Sequence, residues 1–249
     1  MENIASSPSG SFNSLFDSEP VAARRTAPPI PGLFFPQNIR IPPELANELM
    51  EQCMDLYFKN PALNQVMLFE RIPSSNAFPP FLVSLLSTLE SILQPVLPPH
   101  THTLLFPSQS ASIRIRQVIL NLYNPGEGIT PHVDLLQRFG DGILGISLGS
   151  GCVMRFRKVP PSSGLDSNSI ALDNDEYWDL YLPERSVLIL SGEARYDWTH
   201  GIDAQMHDLV QCEGDENEEP TMIARGVRLS LTFRWLLPGA DIGGNDGNR

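Results

Sequence analysis

The sequence predicts a mostly β domain with a helical buttress: a β-sandwich or jelly roll preceded by two helices. Three observations carry this. The 249 residues include 23 prolines and 18 glycines, the punctuation that many short strands need and a helical bundle does not tolerate. From residue 103 the apolar residues alternate or fall in short blocks, which is a strand pattern. Before that, two stretches repeat apolar residues at helical spacing. With 41% hydrophobic residues, a chain of this length can bury a sizeable core.

Taken in order, residues 1–28 are rich in Ser, Ala and Pro without an apolar period and are expected to be disordered. Residues 29–237 read as a single domain, with a helical lead-in over 29–100 and a strand-rich core over 101–237. Residues 32–36 form a short apolar run that starts the fold. Pro42, Pro43 and Glu44 open a helix, and Leu45, Leu49, Cys53 and Leu56 recur at helical spacing within it. A second helix begins near Pro79 and Pro80, carries Leu82, Leu85, Leu86, Leu89, Ile92 and Leu93, and stops before Pro95. Strands are expected over 113–123, 142–149, 152–158, 178–182, 186–190, 198–202 and 226–235. A loop is expected over 159–176 and an acidic loop over 213–219. The tail from 238 to 249 is rich in Gly, Asp and Asn and expected to be flexible.

A net charge of −12 argues against broad, non-specific affinity for nucleic acid, which depends on neutralising phosphates. A local basic face remains open, because residues 101–160 carry six basic side chains (Arg114, Arg116, Arg138, Arg155, Arg157, Lys158) against three acidic ones (Glu127, Asp134, Asp141). Cys53, Cys152 and Cys212 are odd in number and widely spaced, as expected of reduced thiols. No apolar run reaches the length of a membrane span, and the N-terminus lacks the pattern of a secretory signal. The expected location is the cytoplasm, the nucleus or both.

The chemistry centres on His132-Val133-Asp134. Residues two apart on an extended segment face the same way, so one imidazole and one carboxylate project together. They are two-thirds of the two-His-one-carboxylate set that binds non-haem Fe(II) with open positions. Five histidines are present: His100, His102, His132, His200 and His207. His200 follows the apolar strand 186–190; its plain reading is a hydrogen-bonded core residue, and its functional reading is the third ligand. His100 and His102 flank a Pro-rich loop, and His207 is a spare candidate. Downstream, Arg228, Ser230, Thr232 and Arg234 share one strand face and Leu229, Leu231 and Phe233 the other. That polar face is either a solvated surface or a row of donors aimed into a barrel. Arginine recognises carboxylates in a planar, bidentate way, and two arginines about four residues apart on one strand face, roughly 13 Å at strand rise, bracket the length of a small dicarboxylate plus a metal. Fe(II) beside a dicarboxylate clamp points to 2-oxoglutarate as co-substrate.

These pieces, Asn121-x-Tyr123-x-x-Gly126, His132-x-Asp134, His200-Gly201-Ile202 and Arg228-x-Ser230-x-Thr232-x-Arg234, stand in an order that resembles the AlkB family of Fe(II)/2-oxoglutarate dioxygenases, over residues 113–235. Ser147–Ser150 with Val153 and Met154, Ser191–Tyr196, Trp198–Gly201 and Arg225–Arg228 look most like the branch that hydroxylates the modified wobble uridine of tRNA. The RNA-binding module and methyltransferase domain that accompany that branch in animals have no counterpart in these residues. The resemblance implies a double-stranded β-helix (jelly-roll) dioxygenase core. It implies that His132, Asp134 and His200 bind Fe(II), and that Arg228 pairs with the distal carboxylate of 2-oxoglutarate. Arg234 would lie near the 2-oxo-acid end, with Asn121, Tyr123 and Ser230 also against the co-substrate and O2 at the metal. One departure is Leu136: members that repair alkylated bases tend to carry an acidic residue there, contacting the damaged base. The strand-rich lid that grips a nucleotide in those members is not legible before residue 113.

Two substrate readings follow. One is a modified nucleic-acid base, RNA ahead of DNA, with Arg114/Arg116 and Arg155/Arg157 as two strand-spaced pairs that follow phosphates. The other is protein-directed hydroxylation or demethylation with the same cofactors, favoured by the acidic balance and by Leu136. Trp178, Trp198 and Trp235 are candidates for base stacking or for core packing. Nothing in the sequence indicates an oligomeric state.

Overall fold

The computed structural model of the protein describes residues 21–72, 77–108, 114–160, 176–213 and 219–240. Their elements are β1 (Leu33–Phe34), α1 (Pro43–Tyr57), β2 (Gln65–Ile72), α2 (Pro80–Leu93), α3 (Pro99–Leu105), β3 (Arg114–Tyr123), β4 (Ile129–His132), β5 (Ile143–Leu148), β6 (Cys152–Lys158), β7 (Tyr177–Leu182), β8 (Val187–Leu190), α4 (Glu193–Tyr196), β9 (Trp198–Ile202), β10 (His207–Val210), β11 (Thr221–Ala224) and β12 (Arg228–Trp235). A six-stranded sheet runs β1-β8-β5-β12-β3-β2, a four-stranded sheet runs β4-β9-β6-β7, and β10 pairs with β11 alone. All strand pairs are antiparallel. Two antiparallel sheets with helices on one face form the predicted buttressed jelly roll.

The two-residue period of the six-stranded sheet divides the molecule. Val118 and Leu120 of β3, Leu144, Ile146 and Leu148 of β5, and Leu229, Leu231 and Phe233 of β12 pack with Leu49 and Cys53 of α1 and with Leu82, Leu85 and Leu89 of α2. Burying each such leucine contributes about 1.5–3 kcal/mol. The alternate residues face the four-stranded sheet. At the β1-β8-β5 end they are apolar: Leu33, Ile143, Leu188 and Leu190 meet Phe156, Leu180, Leu182 and Trp198. At the β12-β3 end they are Arg228, Ser230, Thr232 and Arg234 with Gln117, Asn121 and Tyr123, so the same interlayer space is sealed at one end and polar at the other. A one-residue slip of β12 would exchange its leucines for its arginines.

Both predicted long helices are present, each with proline in its first turn and none with a side-chain cap. Four expectations differ. A strand, β2, pairs with β3 along its whole length in the lead-in expected to be helical. At the sheet edge, with Gln, Met and Glu among its residues, it lacks a clean alternation. Residues 99–105, expected as a Pro-rich loop, are the short helix α3. Two strands not expected, β10 and β11, pair as a hairpin on either side of the expected acidic loop; residues 214–218 of that loop lie outside the described residues. Of the N-terminal segment expected to be disordered, residues 21–28 are placed. Ala23 bridges Val210 and Arg24 bridges Leu180, because the free edges of β10 and β7 leave backbone groups that an extended strand satisfies. Residues 1–20, Ile113, most of the expected 159–176 loop and the tail beyond 240 lie outside the described residues. Among the described residues no helix is long and apolar enough to cross a membrane.

Candidate active site

β4 and β9 pair antiparallel with His132 opposite His200, across an irregularity between Ile129 and His132. The two rings lie side by side, centroids 4.6 Å apart. Gly201 permits this approach, since a Cβ there would meet Pro131 of β4 at 2.8 Å. His132 Nδ1 lies 2.9 Å from the Thr130 carbonyl oxygen; a carbonyl only accepts, so Nδ1 carries the proton and Nε2 keeps a lone pair for a ligand. Burial lowers the pKa of His200 to about 4, against the smaller raising effect of Asp134, so its imidazole is neutral at pH 7 and able to coordinate.

Asp134 follows β4 and is buried. Its Oδ1 accepts from Arg234 Nη1, and its Oδ2, also buried, has no partner. Arg234 is fixed in turn: its Nε donates to Gln117 Oε1 at 2.8 Å and its guanidinium lies over Phe139 at 3.7 Å. Arg195, 1% exposed, donates to the carbonyl oxygens of Asp134 (3.0 Å) and Phe139 (3.3 Å). It thereby anchors the loop that carries Asp134.

Arg228 is buried on the same face of β12. Its Nη2 and Nε donate to Ser147 Oγ at 2.8 and 3.3 Å, and its Nη1 is buried without a partner. It lies 5.4 Å from the ring centre of Tyr123. Asn121 Oδ1 accepts from Gln65 Nε2 at 2.7 Å, and Ser230 stands between the two arginines along β12. All eight sequence-predicted residues, Asn121, Tyr123, His132, Asp134, His200, Arg228, Ser230 and Arg234, line one cleft of about 360 Å3 between the sheets. Six residues of strand set Arg228 and Arg234 roughly 20 Å apart, not the roughly 13 Å expected. Arg234 reaches Asp134 and Gln117 through Nη1 and Nε, and Arg228 keeps a buried donor, Nη1, without a partner.

Among the described residues no three His, Cys, Asp or Glu side chains, His132, Asp134 and His200 included, stand as a group that could hold a metal ion, and Asp134 Oδ1 is engaged by Arg234. The donor types nonetheless fit a divalent metal: His132 with Nδ1 turned to a carbonyl and Nε2 left for a ligand, a neutral His200 and an orphaned buried Asp134 oxygen. His102 of α3 contacts the Glu90 carbonyl oxygen and Phe106, and His207 is exposed on β10; neither lines the cleft.

Several expectations about the surface are corrected. Arg116 is buried, stacks on Trp235 at 4.2 Å and donates to the Leu105 carbonyl oxygen. Arg155 makes a bidentate pair with Asp179 (2.7 and 2.8 Å) and a second with Asp203 (2.9 Å). The four arginines expected to follow phosphates therefore do not form one open face. Trp198 and Trp235 are buried and hydrogen-bonded to Glu193 and to the Leu105 carbonyl, and Arg24 covers Trp178. Leu136 is exposed, and Leu135 rather than Leu136 lines the cleft. Gln65, Gln117, Arg138, Ser147 and Arg195 are further residues of the site; Ser147 and Arg195 lie in phrases that carry the family resemblance without a role of their own, and Gln117 carries only the signal of facing inward on its strand.

The family model described as the 2OG-Fe(II) oxygenase superfamily matches residues 70–234. The Xenopus tropicalis tRNA (carboxymethyluridine(34)-5-O)-methyltransferase alkbh8 is 40% identical over 126 residues, 47% of this chain and 18% of that protein. The Arabidopsis thaliana alkylated DNA repair protein ALKBH8 homolog is 38% identical over 136 residues, 51% and 38% of the two chains. The Bos taurus mitochondrial alpha-ketoglutarate-dependent dioxygenase alkB homolog 7 is 33% identical over 111 residues, 45% and 41%. The matched stretch thus spans less than half of each relative. The match takes in β12 with Arg228 and Arg234 as well as His132, Asp134 and His200, and the chain belongs to the 2OG-Fe(II) oxygenase superfamily, among its AlkB-like members.

Proposed function

We propose that this chain is an Fe(II)- and 2-oxoglutarate-dependent dioxygenase that hydroxylates or demethylates a modified nucleic-acid base, in tRNA rather than DNA. The observation that carries the cofactor chemistry is one cleft that joins His132, Asp134 and His200 to a buried arginine donor without a partner, Arg228 Nη1. His132 Nε2, the open Asp134 Oδ2 and His200 hold the metal. With 2-oxoglutarate and O2, the bound iron supplies an oxidation that yields succinate and carbon dioxide and places oxygen on the substrate.

The chain's own groups do the rest. Arg228 receives the distal carboxylate as a charge-assisted pair, held at its angle by Ser147. Asn121, Tyr123 and Ser230 flank the co-substrate from β3 and β12. Arg234 fixes the Asp134 carboxylate from behind. Ile119, Met154 and Ile202 line the same cleft with apolar surface and limit water at the oxidising centre. The tRNA part rests on likeness to relatives whose printed names refer to tRNA carboxymethyluridine(34). A second reading, a protein-directed hydroxylase or demethylase, is favoured by the prior engagement of Arg116 and Arg155, which reduces the surface open to phosphates.

The test is succinate formation by the protein with and without Fe(II), 2-oxoglutarate and tRNA. The expected result is dependence on both cofactors, loss in His132→Ala and Asp134→Ala, and stimulation by tRNA. Arg228→Ala removes a charge-assisted pair and should raise the 2-oxoglutarate KM about 10- to 100-fold. Metal-independent succinate formation sinks the cofactor reading. Stimulation by protein extract but not by tRNA moves the substrate to protein.

A further inference from the structure

The cleft holds more positive charge than its cofactors use. Arg138, Arg228 and Arg234 line it against a single carboxylate, Asp134. Fe(II) and the 2-oxoglutarate dianion carry equal and opposite charge, so binding both leaves that surplus in place. Two of the arginines have evident work: Arg234 holds Asp134 and Gln117, and Arg228 holds Ser147 with one donor to spare. Arg138 has none. Its Nε is buried without a partner, and its guanidinium lies 5.5 Å from the ring centre of Phe139, the ring that Arg234 also covers.

This side chain is presented by a fixed turn. The amides of Arg138 and Phe139 both donate to the Leu135 carbonyl at 3.1 Å, Leu237 N donates to the Arg138 carbonyl at 2.9 Å, and Gly140 N to that of Trp235 at 2.9 Å. The buried Arg195 grips the carbonyl oxygens of Asp134 and Phe139 at either end. A buried donor left unpaired is unfavourable, and a rigid mount means that a ligand loses little by ordering it.

We propose that Arg138 is the receptor for an oxyanion of the substrate, a carboxylate or phosphate of an RNA nucleotide, so that the enzyme selects a negatively charged group beside the reacting atom. This rests on the RNA reading above. The planar guanidinium fork matches either oxyanion in a bidentate fashion. Leu135, exposed on the same turn and lining the cleft, offers the adjoining base an apolar edge.

The experiment uses the full chain with Fe(II) and 2-oxoglutarate under nitrogen and three RNA stem-loops that differ at one loop uridine: unmodified, 5-carboxymethyl, and the methyl ester of the latter. Binding is read by fluorescence anisotropy. The carboxylate RNA is expected to bind about tenfold tighter than its ester, the effect of one charge-assisted contact. Arg138→Gln should erase that difference and Arg138→Lys should restore part of it. If Arg138→Gln weakens all three RNAs equally, the oxyanion is a phosphodiester. RNA affinities that ignore Arg138→Gln overturn the proposal, and so does an equal loss of 2-oxoglutarate affinity, which would assign Arg138 to the co-substrate. If none of the RNAs binds the wild-type protein, the RNA reading fails. Phenylglyoxal labelling of Arg138, mapped by mass spectrometry, then decides: protection by millimolar phosphate or acetate sustains an oxyanion site, and lack of protection overturns it.

Discussion

Cys53 shows what burial does to a single group. It sits fully buried in α1 against the six-stranded sheet, and burial pushes its thiol from an ordinary value near 9 up to about 12. Above pH 9 the unfolded chain gives up this proton and the folded protein does not. The contribution is therefore intact below pH 9 and is lost as pH rises through the window from 9 to 12. Denaturant midpoints measured from pH 8 to 10 should fall more for the wild type than for Cys53→Ala, even though the variant starts less stable because of its cavity. Reactivity follows the same logic, since the thiolate is the nucleophile. Iodoacetamide at pH 8 should label Cys212, which is partly exposed, well before the buried Cys53 and Cys152. Equal labelling of all three in the native protein would contradict the packing of α1.

At the scale of elements, the β10–β11 hairpin depends on one ion pair. Its two strands join neither large sheet. Arg225 Nε and Nη2 donate to Asp208 at 2.7 and 2.6 Å, and Asp208, fully buried, also accepts from Val153 N of β6 and from Gln205. Removing one member of a buried pair strands the other charge, so Asp208→Ala should cost about 3–5 kcal/mol by chemical denaturation. The double variant Asp208→Leu with Arg225→Met should recover most of that. A loss under about 1 kcal/mol for the single variant would show the hairpin to be held otherwise. This hairpin also marks where the sequence runs out. β12 was legible because Arg228 to Arg234 alternates without a fault, and α1 and α2 because proline opens each and leucine repeats along it. β10, β11 and β2 carry no such period: the hairpin is built around a buried charge, and β2 is an edge strand whose pairing with β3 is set by tertiary contact. The site divides in the same way. His132, Asp134, Arg228 and Ser230 announce themselves through two-residue spacing, whereas Arg195, Gln117 and Arg138 act through backbone carbonyls, a second side chain and a turn that only the folded chain brings together.

Over the whole molecule, charge is distributed against its overall sign. The chain carries −12, yet its cleft is lined by three arginines and one carboxylate. Field lines in a low-dielectric cleft are focused there, while the net negative charge of the chain as a whole opposes a polyanion. Arg116 and Arg155 cannot relieve this repulsion, because burial on Trp235 and pairing with Asp179 and Asp203 already occupy them. An RNA would then touch the protein through few phosphates, and its affinity would come from the nucleotide held in the cleft. The salt dependence of binding measures that number directly, with a slope of log K against log salt near −0.7 per phosphate for a single strand. Two or three contacts at the cleft give a slope of about −1.5 to −2. Anisotropy titrations of a tRNA anticodon stem-loop across a salt series should fall in that range, and Arg138→Gln should flatten the slope by roughly one contact. A slope as steep as about −5 would require some seven phosphates and would mean that a basic surface other than the cleft carries the RNA.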